Sequence, residues 1–287
     1  MKRKTRDGVL IDQPDGQDRL LKALYGCAAG RMLLKPLTRP ALSRAAGRFL
    51  STKFSCFLIK PFIRANQIDM EQFEATEYAS YNEFFSRKIR PSARKVDFEP
   101  AHLISPCDSK LTALPIDAST RFTLKHTEYS VASLLKNDEL AQSYTGGYAL
   151  IFRLTVDDYH RYCYFDDGAK EEQVRLPGAL HTVNPIANDY FPIYKENARE
   201  YTILHTRSFG DAVMMEVGAL MVGRIVNHHE KATVVRGQEK GYFQFGGSTV
   251  VVLLKAGAAV IDEDILLNSR EGVETVVRMG EKIGQAC

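Results

Sequence analysis

From about residue 100 onward the apolar residues of this chain come in short β-branched or aromatic runs, and no other feature constrains the fold as strongly. Tyr148 to Phe152, Tyr201 to Leu204, Ala212 to Val217, Ala219 to Val226, Ala232 to Val235 and Thr249 to Leu254 are separated by Gly, Asn and Asp. Runs of that length, bounded by turn formers, suit strands rather than helices. Compact turns at Gly146-Gly147, Asp166-Asp167-Gly168 and Gly246-Gly247 recur without a fixed period, which argues against a propeller or solenoid. A small barrel or a two-layer sheet is expected. The densest apolar runs, Phe54 to Ile59 and Val250 to Leu254, fall far short of the roughly 18 residues that a spanning helix requires.

Upstream the texture differs. Between Arg19 and Arg64 stand ten basic residues and no Asp or Glu, leaving 28 basic against 35 acidic residues in the rest of the chain, although the overall net charge is only +3. Leucines and phenylalanines interleave with these cations at helical spacing, interrupted at Pro36, Pro40 and Pro61. Such basic amphipathic helices suit the surface of an anionic membrane, each cation near it contributing roughly 1 kcal/mol, and equally suit packing on the protein with a solvated basic face. Nucleic acid is disfavoured, because the stretch has one Tyr and the chain has no Trp to build a stacking platform. From Tyr81, the spacing of Phe84, Phe85 and Ile89 predicts a helix that stops at Pro91. The fold class expected is α+β: basic amphipathic N-terminal helices over residues 1–95, then a β-rich barrel or sandwich over residues 96–287.

At 287 residues the chain can bury a full core without disulfides or a structural metal. Its five cysteines, Cys27, Cys56, Cys107, Cys163 and Cys287, are scattered with no Cys-x-x-Cys pair, so a reducing, cytoplasmic compartment is expected. Asp12, Asp15 and Asp18 interrupt the N-terminus before any apolar stretch, so no secretory leader is expected. Gly280 to Cys287 reads as a frayed polar tail.

The most unusual stretch is Gly241-Tyr-Phe-Gln-Phe-Gly-Gly-Ser-Thr-Val250. Gly246-Gly247 can form a strained turn that exposes the Gly247 carbonyl to the Ser248 hydroxyl, although Gly-Gly-Ser-Thr alone also describes a β-turn entering a strand. Partners for a reacting serine lie elsewhere. Asp108 sits in Ser105-Pro-Cys-Asp-Ser109, and His160 in Val156-Asp-Asp-Tyr-His-Arg-Tyr-Cys163. Ser, His and Asp are the nucleophile, base and orienting group of an activated hydroxyl, though taken singly His160 also reads as a structural histidine and Asp108 as a turn former. His228-His229 cannot easily share a metal, since neighbours on a strand point to opposite faces, and no metal site is expected.

Several segments together carry a family resemblance. Tyr81-Asn-Glu-Phe-Phe-Ser-Arg-Lys, Ser105-Pro-Cys-Asp108, Asp158-Tyr-His160-Arg, His181-Thr-Val-Asn-Pro-Ile, Asn197-Ala-Arg-Glu, Val217-Gly-Ala-Leu-Met-Val-Gly and Phe245-Gly-Gly-Ser248-Thr resemble those of phosphatidylserine decarboxylases, in the same order, over about residues 60 to 260. The resemblance implies a proenzyme that cuts itself between Gly247 and Ser248. The serine hydroxyl attacks the preceding carbonyl, the ester so formed eliminates to dehydroalanine, and hydrolysis leaves a pyruvoyl group as the covalent cofactor. The implied products are a β chain, residues 1–247, and an α chain, residues 248–287, held as a heterodimer, with a higher homo-oligomer left open.

The same resemblance implies that the pyruvoyl ketone forms a Schiff base with the headgroup amine of phosphatidylserine in an anionic membrane. It withdraws the electrons freed as carbon dioxide leaves, so that phosphatidylethanolamine is the product. No metal is required. It implies Asp108 and His160 as the relay that activates Ser248, His181 and Asn184 as headgroup-pocket residues, and a peripheral location on the cytoplasmic face of the cell membrane. Many family members carry His-x-x-His where this chain has His160-Arg-Tyr-Cys163. Either His160 then covers both imidazole roles or a residue such as His181 supplies the second, with Cys163 as a space-filling thiol or a weak acid–base group. Two other readings remain open: a pyruvoyl enzyme acting on a soluble amino acid, and a catalytically silent hybrid-barrel module, which the lack of a Met-Lys carrier turn weakens.

Overall fold

The computed structural model describes residues 2–11, 40–124, 127–181, 193–219, 224–244, 246 and 248–287, with side chains from residue 45 onward in the first helix. Gly247 and Asn184 therefore lie outside the described residues, as does most of the basic stretch before Pro40.

Strands dominate. In chain order they are β1 (Arg3–Lys4), β2 (Leu10–Ile11), β3 (His102–Ile104), β4 (Ser109–Pro115), β5 (Arg121–Leu124) and β6 (Thr127–Ser130). There follow β7 (Tyr148–Leu154), β8 (Arg161–Cys163), β9 (Gly168–Lys170), β10 (Val174–Leu176), β11 (Arg199–Thr206), β12 (Gly210–Val217) and β13 (Ile225–Asn227). The last are β14 (Ala232–Val234), β15 (Glu239–Phe243), β16 (Ser248–Leu254), β17 (Ala259–Ile261), β18 (Glu274–Val277) and β19 (Lys282–Ala286). Eleven form one sheet in the order β14-β9-β11-β12-β16-β7-β4-β18-β1-β2, with β10 alongside β11. Two three-stranded sheets, β13-β15-β8 and β17-β19-β3, and the hairpin β5-β6 complete the set. The sheets are open, so of the two architectures expected the sandwich is the one that forms.

Strand alternation explains how the large sheet is covered. On β16, Val250, Val252 and Leu254 join the core that contains Tyr162 of β8 and Phe243 of β15, while Val251 and Leu253 join a second core with Tyr129, Leu134 and Tyr194. One face thus packs on the small sheets and the other on the β5-β6 hairpin and the helices Val131–Leu135 and Ile193–Glu196. β16 lies between β7 and β12, with Ser248 opposite Leu154, and Thr249 opposite both Arg153 and Val217.

Among the described residues, the helix that starts at Tyr81 is shorter than the sequence spacing suggests. It begins with Ser80 accepting a hydrogen bond from the Glu83 amide at 3.2 Å, an N-cap bond, while the Glu83 carboxylate accepts one from the Ala79 amide just before the cap. It ends at Phe85, short of the expected Pro91, because Ile89 pairs with Phe73 in an extended bridge and Arg90 donates from its amide to the Gln72 carbonyl at 2.8 Å. The segments Pro40–Leu50, Lys53–Leu58 and Ile59–Ala65 bury Leu50 and Ile59 against Tyr81, Phe84 and Phe85. Their other side leaves Phe49, Phe54 and Phe57 exposed, Phe54 at 84%, among exposed Lys53, Lys60 and Arg64. Among the described residues no helix is long and apolar enough to cross a membrane.

At the described N-terminal residues, β1 pairs in parallel with β18 and extends the large sheet. The C-terminus is a further correction. Instead of fraying, β19 pairs with both β17 and β3 and buries Ile283, and Gly284 permits this because a side chain there would meet the Val260 carbonyl oxygen.

Candidate active site

Ser248 opens β16 and is wholly buried, and its Oγ has no hydrogen-bond partner among the described residues. Just upstream, Gly246 adopts a φ of 132°, a conformation that side-chain-bearing residues rarely enter, while Gly247, the other half of the expected turn, lies outside the described residues. By strand alternation the serine side chain lies on the same face as Val250, toward the core that holds Tyr162 and Phe243.

His160 immediately precedes β8, on the same side of the chain as Tyr162, and is also wholly buried. Its ring packs at 4.1 Å between centroids on Phe85, and its backbone carbonyl accepts from the Phe243 amide at 2.9 Å. Nδ1 lies 2.9 Å from the Asp158 carbonyl oxygen. A carbonyl only accepts, so Nδ1 carries the proton and Nε2 carries the lone pair. Nε2 is buried without a partner among the described residues. Burial, with the nearby Arg87 cation adding to it, pulls the imidazole down to about 3, so it is neutral at physiological pH. The structure thus holds an uncharged base with its lone pair free, and a buried serine hydroxyl facing the core behind the same small sheet.

Asp108 is not the hydrogen-bond partner of His160. Arg94 grips its carboxylate through Nε, at 2.9 and 3.0 Å, and through Nη2, and the Met279 amide donates to Oδ1 at 2.8 Å. The Asp108 turn nonetheless joins β8, because the Cys163 amide donates to the Pro106 carbonyl at 2.9 Å. Cys163 is buried, and burial pushes its thiol up to about 12, so it stays protonated at neutral pH.

His181 ends the described segment before residues 182–192. It is buried, which lowers its pKa, and its Nε2 is 3.9 Å from a Glu196 carboxylate oxygen. Asn197 ties this position to the site: its side chain accepts from the His181 amide at 2.9 Å and donates to the carbonyls of His181 and Gly218, each at 2.8 Å. Gly218 follows Val217, the β12 partner of Thr249. His228 and His229 turn to different partners, Glu239 at 2.7 Å and the Tyr164 hydroxyl at 3.2 Å, and among the described residues no cluster could hold a metal.

Residue-level reading missed Arg94, Asp158 and Asn197 as site-building groups. A Thr-x-x-Asp pattern at Thr155 to Asp158 is a local signal of a side-chain-closed turn. A lone Asn has none. A cavity of about 630 Å³ lies beside the site, lined by Arg94, Tyr159, Arg161, Cys163, Phe98 and Met279 among others, and neither Ser248 nor His160 lines it.

Fold and site define an α+β sandwich with a buried strand-leading serine after a glycine and a neutral histidine on the facing layer. The phosphatidylserine decarboxylase family model matches residues 81–285. The chain is 48% identical over 266 residues, 92% of its length and 91% of the relative's, to phosphatidylserine decarboxylase proenzyme 2 of Clostridium acetobutylicum. It is 41% identical over 280 residues to the phosphatidylserine decarboxylase proenzyme of Ruminiclostridium cellulolyticum, covering 96% and 93% of the two chains. A third proenzyme of that name, from Clostridium novyi, is 39% identical over 273 residues, covering 93% and 92%. The chain belongs to the phosphatidylserine decarboxylase family.

Proposed function

We propose that this chain is the proenzyme of a carboxy-lyase that converts phosphatidylserine to phosphatidylethanolamine and carbon dioxide after cutting itself between Gly247 and Ser248. The observation that carries the reading is the buried Ser248 hydroxyl, without a partner among the described residues, behind the left-handed Gly246, in a chain of this family. Ser248 Oγ attacks the Gly247 carbonyl carbon while His160 Nε2 accepts the hydroxyl proton. The peptide bond becomes an ester, with the proton delivered to the Ser248 nitrogen. Removal of the Ser248 α-proton then expels the Gly247 carboxylate and leaves dehydroalanine, whose hydrolysis releases ammonia.

The residues fit the pyruvoyl group that results, because its precursor stands in a dry strand start with a base on the facing layer. When formed, that ketone supplies the electron sink for decarboxylation. His160 holds a lone pair in the buried site, and Asp108, fixed by Arg94, anchors the turn that meets β8. After cleavage residues 248–254 stay between β7 and β12, and β18 and β19 stay paired with β4 and β3, which supports two chains that remain associated.

In this reading membrane contact is made within residues 1–95, at the cytoplasmic face, and residues 96–287 carry the catalytic strands, with Arg94 and Phe85 reaching Asp108 and His160 from the first part. Exposed Phe49, Phe54 and Phe57 beside Lys53, Lys60 and Arg64 support docking on an anionic bilayer, since buried aromatics and surface cations both favour the interface. The test is carbon dioxide release by the processed protein from carboxyl-labelled phosphatidylserine in phosphatidylglycerol-containing vesicles, beside labelled free serine. Release from the lipid alone is expected. Release from free serine at an equal rate would make the chain a soluble amino-acid decarboxylase.

A further inference from the structure

We infer that Asp158 is the positioning residue for His160, through a locked turn that ends in the carbonyl holding Nδ1; the inference rests on the proposed role of His160 as base. The turn begins at Thr155, one residue after Leu154, which is the β7 register partner of Ser248. Its geometry is over-determined. The Asp158 amide donates to the Thr155 carbonyl at 2.9 Å, and the Asp158 carboxylate accepts from the Thr155 amide at 2.6 Å and from its hydroxyl at 2.9 Å. Lys110, buried on β4, donates from Nζ to both carboxylate oxygens at 2.6 Å and to the Thr155 hydroxyl at 2.6 Å. Lys110 stands opposite Arg153, so the lock is rooted in the sheet that carries Ser248.

The consequence falls on the imidazole. With the turn fixed, the Asp158 carbonyl receives the Nδ1 proton and leaves Nε2 as the only atom able to accept one. The job expected of the Asp108 carboxylate, choosing the tautomer and aiming the ring, is done here by a main-chain oxygen. A main-chain acceptor suits a dry site, since the atom that fixes the tautomer carries no charge of its own. The carbonyl cannot be removed by substitution, but its lock can.

The experiment uses the full chain carrying Ser248→Ala, which cannot process, labelled with ¹⁵N-histidine. The expected spectrum contains a neutral histidine protonated at Nδ1, identified by its loss in a His160→Gln partner. Adding Asp158→Ala should turn that signal into a tautomer mixture, and Lys110→Arg should preserve it. With Ser248 restored and cell-free synthesis as the readout, Asp158→Ala should slow self-cleavage at least tenfold. Asp158→Asn, which keeps the acceptor to Thr155 and loses the charge pair, should fall between it and the parent. An Nε2-protonated His160 in the parent overturns the inference, as does an unchanged tautomer with parental cleavage rate in Asp158→Ala. The tautomer is read in a chain that cannot be cut, so loss of the proposed activity and loss of this inference are told apart.

Discussion

Two buried polar regions of the sandwich treat their groups in opposite ways. Around Lys240 and Glu216, both wholly buried, Lys240 Nζ donates to Glu216 at 2.8 Å and to Asn227 at 2.7 Å, while Asn227 and Gln173 donate to the other Glu216 oxygen at 3.2 and 3.1 Å. Burial still pushes the carboxyl up and the ammonium down, but each charge faces its opposite. At Ser248 and His160 the reverse holds: Oγ and Nε2 are as deeply buried and have no partner among the described residues. Leaving a buried polar atom unpaired costs roughly 1–3 kcal/mol. Other buried atoms are also left open among the described residues, Gln173 Oε1 beside Glu216 and Thr249 Oγ1 included, but Ser248 Oγ and His160 Nε2 are the two for which the proposed self-cleavage supplies a use.

That contrast can be broken by substitution. The largest effect on chemistry is expected from His160→Gln, which removes the base and should slow self-cleavage by about 10²–10⁴-fold in cell-free synthesis. A near-normal rate would transfer the proton to another group. The same substitution should blunt acid lability. A histidine whose folded value is about 3, below its ordinary 6.5, adds stability that is complete above pH 6.5 and is lost as pH falls toward 3. Denaturant unfolding of Ser248→Ala chains with and without His160→Gln, across that window, measures the slope.

Lys240→Met sharpens the other side. It strands Glu216 and should cost about 3–5 kcal/mol of unfolding free energy, with the chains that do fold still cutting themselves. A small loss would mean that the pair is not held as tightly as its geometry implies. The smallest effect is expected from Cys163→Ser. The thiol is buried and protonated, so processing should stay within about twofold, and a hundredfold loss would give Cys163 a proton-transfer role.

Much of this was legible in the sequence where local rules govern. Runs such as Tyr148 to Phe152 and Thr249 to Leu254 became β7 and β16 with only small shifts at the ends, because β-branched residues between turn formers leave few alternatives. Gly246 and Ser248 were readable because a glycine turn before a hydroxyl is itself unusual. The partner of His160 was not. Asp108 and Asp158 are both aspartates near aromatic segments, and only the fold reveals that one is taken by Arg94 while the other lends its carbonyl. The same applies to the tail, where Gly284 reads as frayed until the Val260 strand is beside it. The early stop of the helix after Phe85 likewise depends on Phe73, distant in sequence from Ile89 and adjacent in space.

The most direct test of the central claim is the intact mass of the purified protein under denaturing conditions, beside the Ser248→Ala variant. Two chains are expected from the parent, ending at Gly247 and beginning at residue 248, the shorter one blocked at its N-terminus by a pyruvoyl group and short of the mass of an N-terminal serine. The variant should give one chain. A single uncut parent chain after incubation with anionic vesicles, or a cut that survives Ser248→Ala, would contradict self-processing at Ser248.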